Sequence, residues 1–166
     1  VKRMYKDGFE LKTSGKIYHA DSRKLPLKPN SVNLVISSPP YFNTLDYVND
    51  NRLRLEFLGL DHDRKQELKK ELIQDRHNYL DDMEKVGLQL KKVIKKGGFC
   101  IFVLGDLHSG SKVINTAEEV KKVYEKMGFK THGIIDDAMP IRKCIPSKIT
   151  RQKLDRILVM TNGEQV

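Results

Sequence analysis

The sequence predicts an α/β fold in which a sheet is packed between helices on both faces. Strand-like and helix-like segments alternate along the chain, as in sheets whose parallel strands are connected by helices. The run Val32–Ser37 is largely apolar, which is typical of a strand buried on both faces. Between Asp75 and Lys96, apolar residues recur at spacings of three and four, as on the buried side of a helix. The 166 residues fit one domain.

The first half of the chain is predicted to hold two strands and three helices after a flexible lead-in over residues 1–14. The strands are expected over Gly15–Asp21 and Val32–Ser37, with a loop over Ser22–Asn30 between them. The helices are expected over Leu45–Leu58, His62–Ile73 and Asp75–Lys96. Gly59 and Gly97 are interpreted as helix ends, and the middle helix is charged nearly all round and therefore exposed.

The second half is predicted to hold three strands and one helix. The strands are expected over Gly98–Leu104, Phe129–Ile135 and Arg156–Thr161. The helix runs from Thr116 through Met127, with Thr116 and Glu119 as a capping box. A loop rather than a helix joins the last two strands, so we expect these to pair antiparallel in a sheet of about five strands.

Composition excludes several classes of protein. A hydrophobic content of 39% with 32% charged residues is ordinary for a soluble globular domain. No apolar run is long enough to span a bilayer, and no apolar stretch follows the N-terminal charges, so we expect a cytoplasmic protein without a secretory signal. The two cysteines and five histidines show no metal-ligand spacing, and no metal is expected.

The charge balance points to a phosphate-rich partner. Lys and Arg outnumber Asp and Glu by 31 to 22, which gives a net charge of +9. A solvated, lysine-rich surface would give the same total, but several of these charges cluster in one stretch, the basic loop over residues 140–153. Its basic residues are Arg142, Lys143, Lys148, Arg151 and Lys153.

The turn after the second predicted strand is the main candidate for chemistry. Two consecutive prolines in Ser38-Pro39-Pro40-Tyr41, here called the signature turn, stiffen the backbone and leave its carbonyls without local N–H partners. The Ser38 hydroxyl and the Pro39 carbonyl could each accept a hydrogen bond from an amino group. The ring of Tyr41 or Phe42 could stack on a nucleobase that has been flipped out of its duplex. Asp21 and Asp106 also follow predicted strands, so one crevice is expected at this edge of the sheet.

These residues resemble the S-adenosylmethionine-dependent amino-methyltransferases of DNA. Their signature is Asp, Asn or Ser followed by Pro-Pro-Tyr or Pro-Pro-Phe, and the similarity extends from about Tyr18 to Met160. The resemblance implies a Rossmann-like methyltransferase sheet, S-adenosylmethionine beside the turn and a flipped base in the pocket. It implies that the target amine and its base are held by Ser38, Pro39, Pro40 and Tyr41. It further implies a cofactor contact from Asp21, and we expect Ser37 and Asp106, at the same edge of the sheet, to contact the cofactor as well. DNA contacts are expected from the stacking ring of Phe42 and from the basic loop, through Arg142, Lys143, Lys148 and Arg151.

The target base and the polymer stay open. Serine at the first signature position favours the N4 amine of cytosine, whereas the pattern that continues through Asn43, Asp46 and Tyr47 also resembles enzymes acting on the N6 amine of adenine. DNA is favoured over RNA as the substrate.

One element of the family is missing. No Phe-x-Gly-x-Gly loop, which holds the methionine end of the cofactor in the family, occurs between Val1 and Val166. The chain is therefore expected to be part of a larger or split enzyme, to be completed by a second chain or a homodimer partner, or to be a nucleic-acid- or partner-binding module that has lost catalysis.

Overall fold

The computed structural model describes residues 15–41, 46–73, 78–109, 112–138 and 154–163. Its strands are β1 (Val32–Ser37), β2 (Ile94–Gly105), β3 (Leu107–Ser109), β4 (Lys112–Ile114), β5 (Phe129–Ala138) and β6 (Leu154–Asn162). Its helices are α1 (Tyr47–Asp50), α2 (Arg52–Phe57), α3 (His62–Glu71), α4 (Tyr79–Val93) and α5 (Thr116–Lys126). Within these ranges, none of the helices has the length and apolar character needed to cross a membrane.

Four of the strands form the main sheet in the order β1, β2, β6, β5. β1 and β2 are parallel, whereas β6 runs antiparallel to both β2 and β5. β3 and β4 form a separate antiparallel hairpin that the sequence did not predict. The α/β class and the antiparallel last pair are confirmed, and β1 lies at one edge of the described sheet.

The strand predicted over Gly15–Asp21 is wrong. Residues 15–20 have no regular secondary structure and are all exposed, and the Ile17 side chain is 96% exposed. An alternating pattern forms a strand only where a neighbouring strand supplies hydrogen bonds, and no described strand lies beside this segment. The described main sheet therefore has four strands rather than five.

The helix predicted over Leu45–Leu58 is two short helices, α1 and α2, separated at Asn51. Its apolar residues follow no single helical period, and Val48 is the one buried residue in the two helices. Gly59 has a φ of +77° and follows α2, as predicted for a helix end. The exposed helix is confirmed, since α3 has no buried residue.

The predicted ends of the two longest helices need correction. α4 ends at Val93, and β2 begins directly at Ile94, so Gly97 does not stop the helix. Instead Gly97 has a φ of +72°, and a Cβ added to Gly98 would lie 2.9 Å from the Asn33 carbonyl oxygen. The glycine pair thus shapes an irregular start of β2 beside β1. The N-cap of α5 is Asn115 rather than Thr116, because the Asn115 side chain accepts from the Glu118 N–H.

The core lies between one face of the sheet and the helices α4 and α5. Alternate residues of β2 point into it, as the strand period requires. Phe102 meets the Tyr124 ring edge-on at 5.5 Å, which joins the sheet to α5. The largest fully buried side chains are Tyr79, Tyr124, Phe102, Met83, Ile94, Leu104, Leu158 and Met160.

The opposite face of the sheet exposes large apolar side chains, so the prediction that β1 is buried on both faces is wrong for the described residues. Leu34 and Ile36 of β1 are 49% and 67% exposed, Phe99 of β2 is 44% exposed and Ile135 of β5 is 58% exposed. Register pairs Leu34 with Phe99, and alternation along each strand places these side chains opposite the core. We call the surface defined by these four residues the open face.

Candidate active site

Ser38 follows β1 directly, at the carboxyl end of a parallel strand. Its hydroxyl donates a hydrogen bond to the Val103 carbonyl of the neighbouring strand β2, at 3.3 Å. The proton is thereby directed into the protein, and the oxygen of this exposed side chain can accept a hydrogen bond from an incoming group.

Tyr41 closes the signature turn and is half-buried. Its ring lies against Gly105 at the end of β2, where an added Cβ would come within 3.0 Å of two ring carbons. Its backbone N–H donates to the Tyr47 hydroxyl of α1 at 3.4 Å. Burial is the main cause that raises the pKa of the Tyr41 phenol, and the negative charge of Asp155 adds to it. Tyr41 therefore stays a neutral hydrogen-bond donor.

Asp155 supports the signature turn and was not found from the sequence, whereas Tyr47 belongs to the pattern that continues after the turn. The Tyr41 hydroxyl donates to Asp155 Oδ2 at 3.2 Å across 114 residues of sequence. Asp155 lies in β6 as the register partner of Gly105. The predicted last strand starts at Arg156, one residue after Asp155. Placing the Asp155 carboxylate beside the turn would have required an earlier start and the register of this strand against β2.

A cavity of about 350 Å³ opens beside the turn. Ser37, Ser38, Pro39 and Pro40 form part of its wall, and Ser22 contributes another hydroxyl. The rest is apolar and comes from the loop before β1, from β1, from the segment after α3, from α4 and from β2: Leu25, Leu27, Val32, Val35, Ile73, Met83, Val86, Leu90, Val93 and Phe102. The structure thus brings Ser37 and the first three residues of the signature turn together around one pocket, whereas Tyr41 does not line it.

Asp106 is engaged in an ion-pair cluster. Both of its carboxylate oxygens accept from Arg156, at 2.8 and 3.0 Å, and its side chain is 3% exposed. Arg156 also donates to Asp136 of β5 at 2.6 Å. The bond to Asp106 is the first cause that raises the pKa of the Arg156 guanidinium. This cluster ties the end of β2 to β6 and β5, and Asp106 does not line the cavity.

Asp21 is likewise paired, although it is half-exposed. Arg23 donates to both of its carboxylate oxygens at 2.8 to 3.1 Å, and these hydrogen bonds lower the pKa of Asp21. Arg23 also reaches Asp82 of α4 and the Glu71 carbonyl of α3. Asp21 thus helps to fasten the loop before β1 to the helices, while its neighbour Ser22 lines the cavity.

The predicted DNA contacts lie outside the described residues. These are Phe42, Arg142, Lys143, Lys148 and Arg151. The basic loop leaves β5 at Ala138 and enters β6 at Leu154, and these two residues are paired. The next pair along joins Asp137 to Asp155, and Asp155 accepts from the Tyr41 hydroxyl, so the strand ends that flank the basic loop lie beside the signature turn.

Solved structures share this fold. A proposed DNA modification methylase from Thermus thermophilus, crystallised with S-adenosyl-L-methionine, matches 88% of the chain with 21% identity and a TM-score of 0.59. A second crystal structure of the same methylase matches 89% of the chain with 21% identity and a TM-score of 0.58. The chain has a methyltransferase fold. It covers 54% and 53% of those two chains and so spans about half of their length.

No family model matches the sequence, and no curated protein matches it.

The described residues do not form a complete site for S-adenosylmethionine. The cofactor carries a ribose, an ammonium group and a carboxylate, which need charged or polar partners. The cavity wall offers three serine hydroxyls but no charged side chain, and the two candidate carboxylates, Asp21 and Asp106, are held by arginines outside it. In the ranges that the structure describes, the site is suited to hold an amino group and lacks the groups that would hold the methyl donor.

Proposed function

We propose that the chain is the amine-holding part of an S-adenosylmethionine-dependent DNA methyltransferase that modifies the N4 amine of cytosine or the N6 amine of adenine. The observation that carries the proposal is the signature turn at the end of β1, where the Ser38 hydroxyl donates inward and its oxygen can accept a hydrogen bond. The similarity to a proposed DNA modification methylase supports it. DNA as the substrate fits the net charge of +9, and a cytoplasmic location would follow from that substrate.

The residues of the turn suggest how the amine is activated. When the Ser38 oxygen and the Pro39 carbonyl accept the two amino hydrogens, the nitrogen lone pair is drawn out of conjugation with the ring. Tyr41 offers an aromatic contact for the flipped base. S-adenosylmethionine supplies an electrophilic methyl group when it is bound. Pro39 is buried and Pro40 half-buried, which keeps the acceptor groups in place before the base arrives.

We further propose that residues outside this sequence complete the cofactor side. The matched methylase has about twice the length of the aligned region. The open face and the free edge of β1 adjoin the signature turn, and apolar side chains on a sheet face normally pack against another layer. A further segment of polypeptide, a different chain or a second copy of this one, would cover that face and bring the polar groups that the methyl donor needs.

The test is methyl transfer by the protein purified from its native cells with every polypeptide that copurifies. We expect incorporation of labelled methyl from S-adenosylmethionine into unmodified duplex DNA, and a loss of about 100-fold or more in Ser38→Ala and Tyr41→Ala. Ser31→Ala and Tyr18→Ala remove the same groups at exposed positions away from the turn and should leave the rate unchanged. Full activity in both site variants would refute the proposal, and incorporation into RNA instead of DNA would change the substrate.

A second candidate is a nucleic-acid- or partner-binding module without catalysis. The observation in its favour is that Asp21 and Asp106 are both bound by arginines, which leaves the described pocket without a charged anchor for the cofactor. A copurified assembly that binds DNA but neither binds labelled cofactor nor transfers methyl would favour this alternative.

A further inference from the structure

The Tyr41 side chain contacts a pair of residues on two neighbouring strands. Gly105 of β2 and Asp155 of β6 are register partners. Gly105 leaves room for the ring, because a Cβ there would come within 3.0 Å of it, and Asp155 accepts from the ring's hydroxyl at 3.2 Å. The ring is therefore fixed at one face and at its polar tip.

Asp155 has no evident structural task of its own. Among the residues that the structure describes, no lysine or arginine forms an ion pair with it, although the next residue, Arg156, pairs with Asp106 and Asp136. Its cross-strand partner on the other side, Asp137, is also acidic and exposed. A half-buried carboxylate beside a like charge is unfavourable unless a donor compensates it, and the Tyr41 hydroxyl is the donor that it has.

We infer that Asp155 is a positioning residue of the active site, which holds the Tyr41 ring in the orientation needed to receive the target base. This inference rests on the proposed function. The contact fixes the position of the Tyr41 hydroxyl and ties the turn after β1 to β6, across β2. Gly105 sets the face on which the ring packs, so the ring is held in place before a base enters, which lowers the entropy lost on binding.

The groups that face the Tyr41 hydroxyl can be named. Asp155 accepts from it, the Ser38 hydroxyl lies within hydrogen-bonding reach, and Tyr47 of α1 lies close enough to affect its ionisation. Asp155 and Tyr47 disfavour the phenolate, whereas Ser38 favours it. Loss of the Asp155 charge should therefore make the Tyr41 phenol easier to ionise, even though burial stays the larger cause.

The first test measures the contact without any assay of function. The chain is labelled with 3-fluorotyrosine, whose phenol ionises at lower pH than that of tyrosine, and Tyr41→Phe identifies the ¹⁹F signal of position 41. We expect Asp155→Asn to lower the midpoint of that signal by about 0.5 pH unit or more. Asp137→Asn removes the same charge at the register partner and should leave the midpoint unchanged. An equal midpoint in Asp155→Asn and the wild type would overturn the inference.

The second test separates positioning from structure. In the assembly with methyl transfer activity, we expect Asp155→Ala, which removes the acceptor, to lower kcat/KM for DNA by about 10-fold, with the KM for S-adenosylmethionine and the melting temperature unchanged. Full activity in Asp155→Ala would overturn the inference even if the fluorine signal shifts. A wild-type assembly that transfers no methyl group refutes the proposed function, and the fluorine titration then decides by itself whether Asp155 holds Tyr41.

Discussion

At the scale of single residues, the site depends on the missing side chain at Gly105. The backbone of Gly105 has no left-handed φ, so the glycine serves the close approach of the Tyr41 ring rather than a turn. We expect Gly105→Ala to displace the ring by a few tenths of an ångström and to lower methyl transfer by about 10-fold. Gly133→Ala in β5 is the matched control, since a Cβ there meets no atom within 4 Å. Equal activity in the two variants, measured by methyl incorporation, would show that the position of the ring is unimportant.

The signature turn follows a strand as the sequence predicts, but the residues that contact Tyr41 could not be predicted. Ser38 to Tyr41 follow a strand in the structure as predicted, because two prolines after an apolar run constrain the backbone locally. The partners of Tyr41 come from distant parts of the chain, and the Asp155 contact depends on the register of β6 against β2. The ion pairs of Asp21 and Asp106 with arginines likewise depend on side-chain geometry that the sequence does not show. The predicted contacts of Asp21 and Asp106 with the cofactor stay predictions.

At the scale of secondary-structure elements, the errors share a physical cause. Gly15–Asp21 alternates but pairs with none of the described strands, and Gly97 has the left-handed φ of a helix end but belongs to the irregular start of β2. Local patterns report what a segment prefers, whereas pairing and close contacts decide what it becomes. The strongly periodic helix α4 and the exposed helix α3 were predicted well because their patterns need no distant partner.

The open face gives a test at the same scale. Ile36 is 67% exposed in the described chain, so glutamate there costs little unless another layer covers the sheet. We expect Ile36→Glu to destabilise the assembled protein by about 2 kcal/mol or more, because covering would bury an unpaired carboxylate. Leu53→Glu in α2, where the side chain is 62% exposed, is the control. Thermal unfolding and light scattering of the copurified assembly measure the effect. Equal stability in both variants would show that the open face stays uncovered.

At the scale of the whole molecule, the chain has a methyltransferase fold but about half the length of the solved structures that it matches. The described half contains the turn that can hold an amine, one helical layer and a sheet with an exposed face. It contains no charged group lining the pocket beside that turn. These features together favour the proposal that this chain binds the target base, while residues outside this sequence bind the methyl donor.

The most direct measurement of this claim is the content of methylated bases in the DNA of the native cells. After deletion of the gene, nucleoside mass spectrometry should show a loss of N4-methylcytosine or N6-methyladenine. A wild-type copy should restore the modified base, whereas copies carrying Ser38→Ala or Tyr41→Ala should not. An unchanged content of both bases after deletion, or full restoration by the two variants, would contradict an amine-holding role for the signature turn.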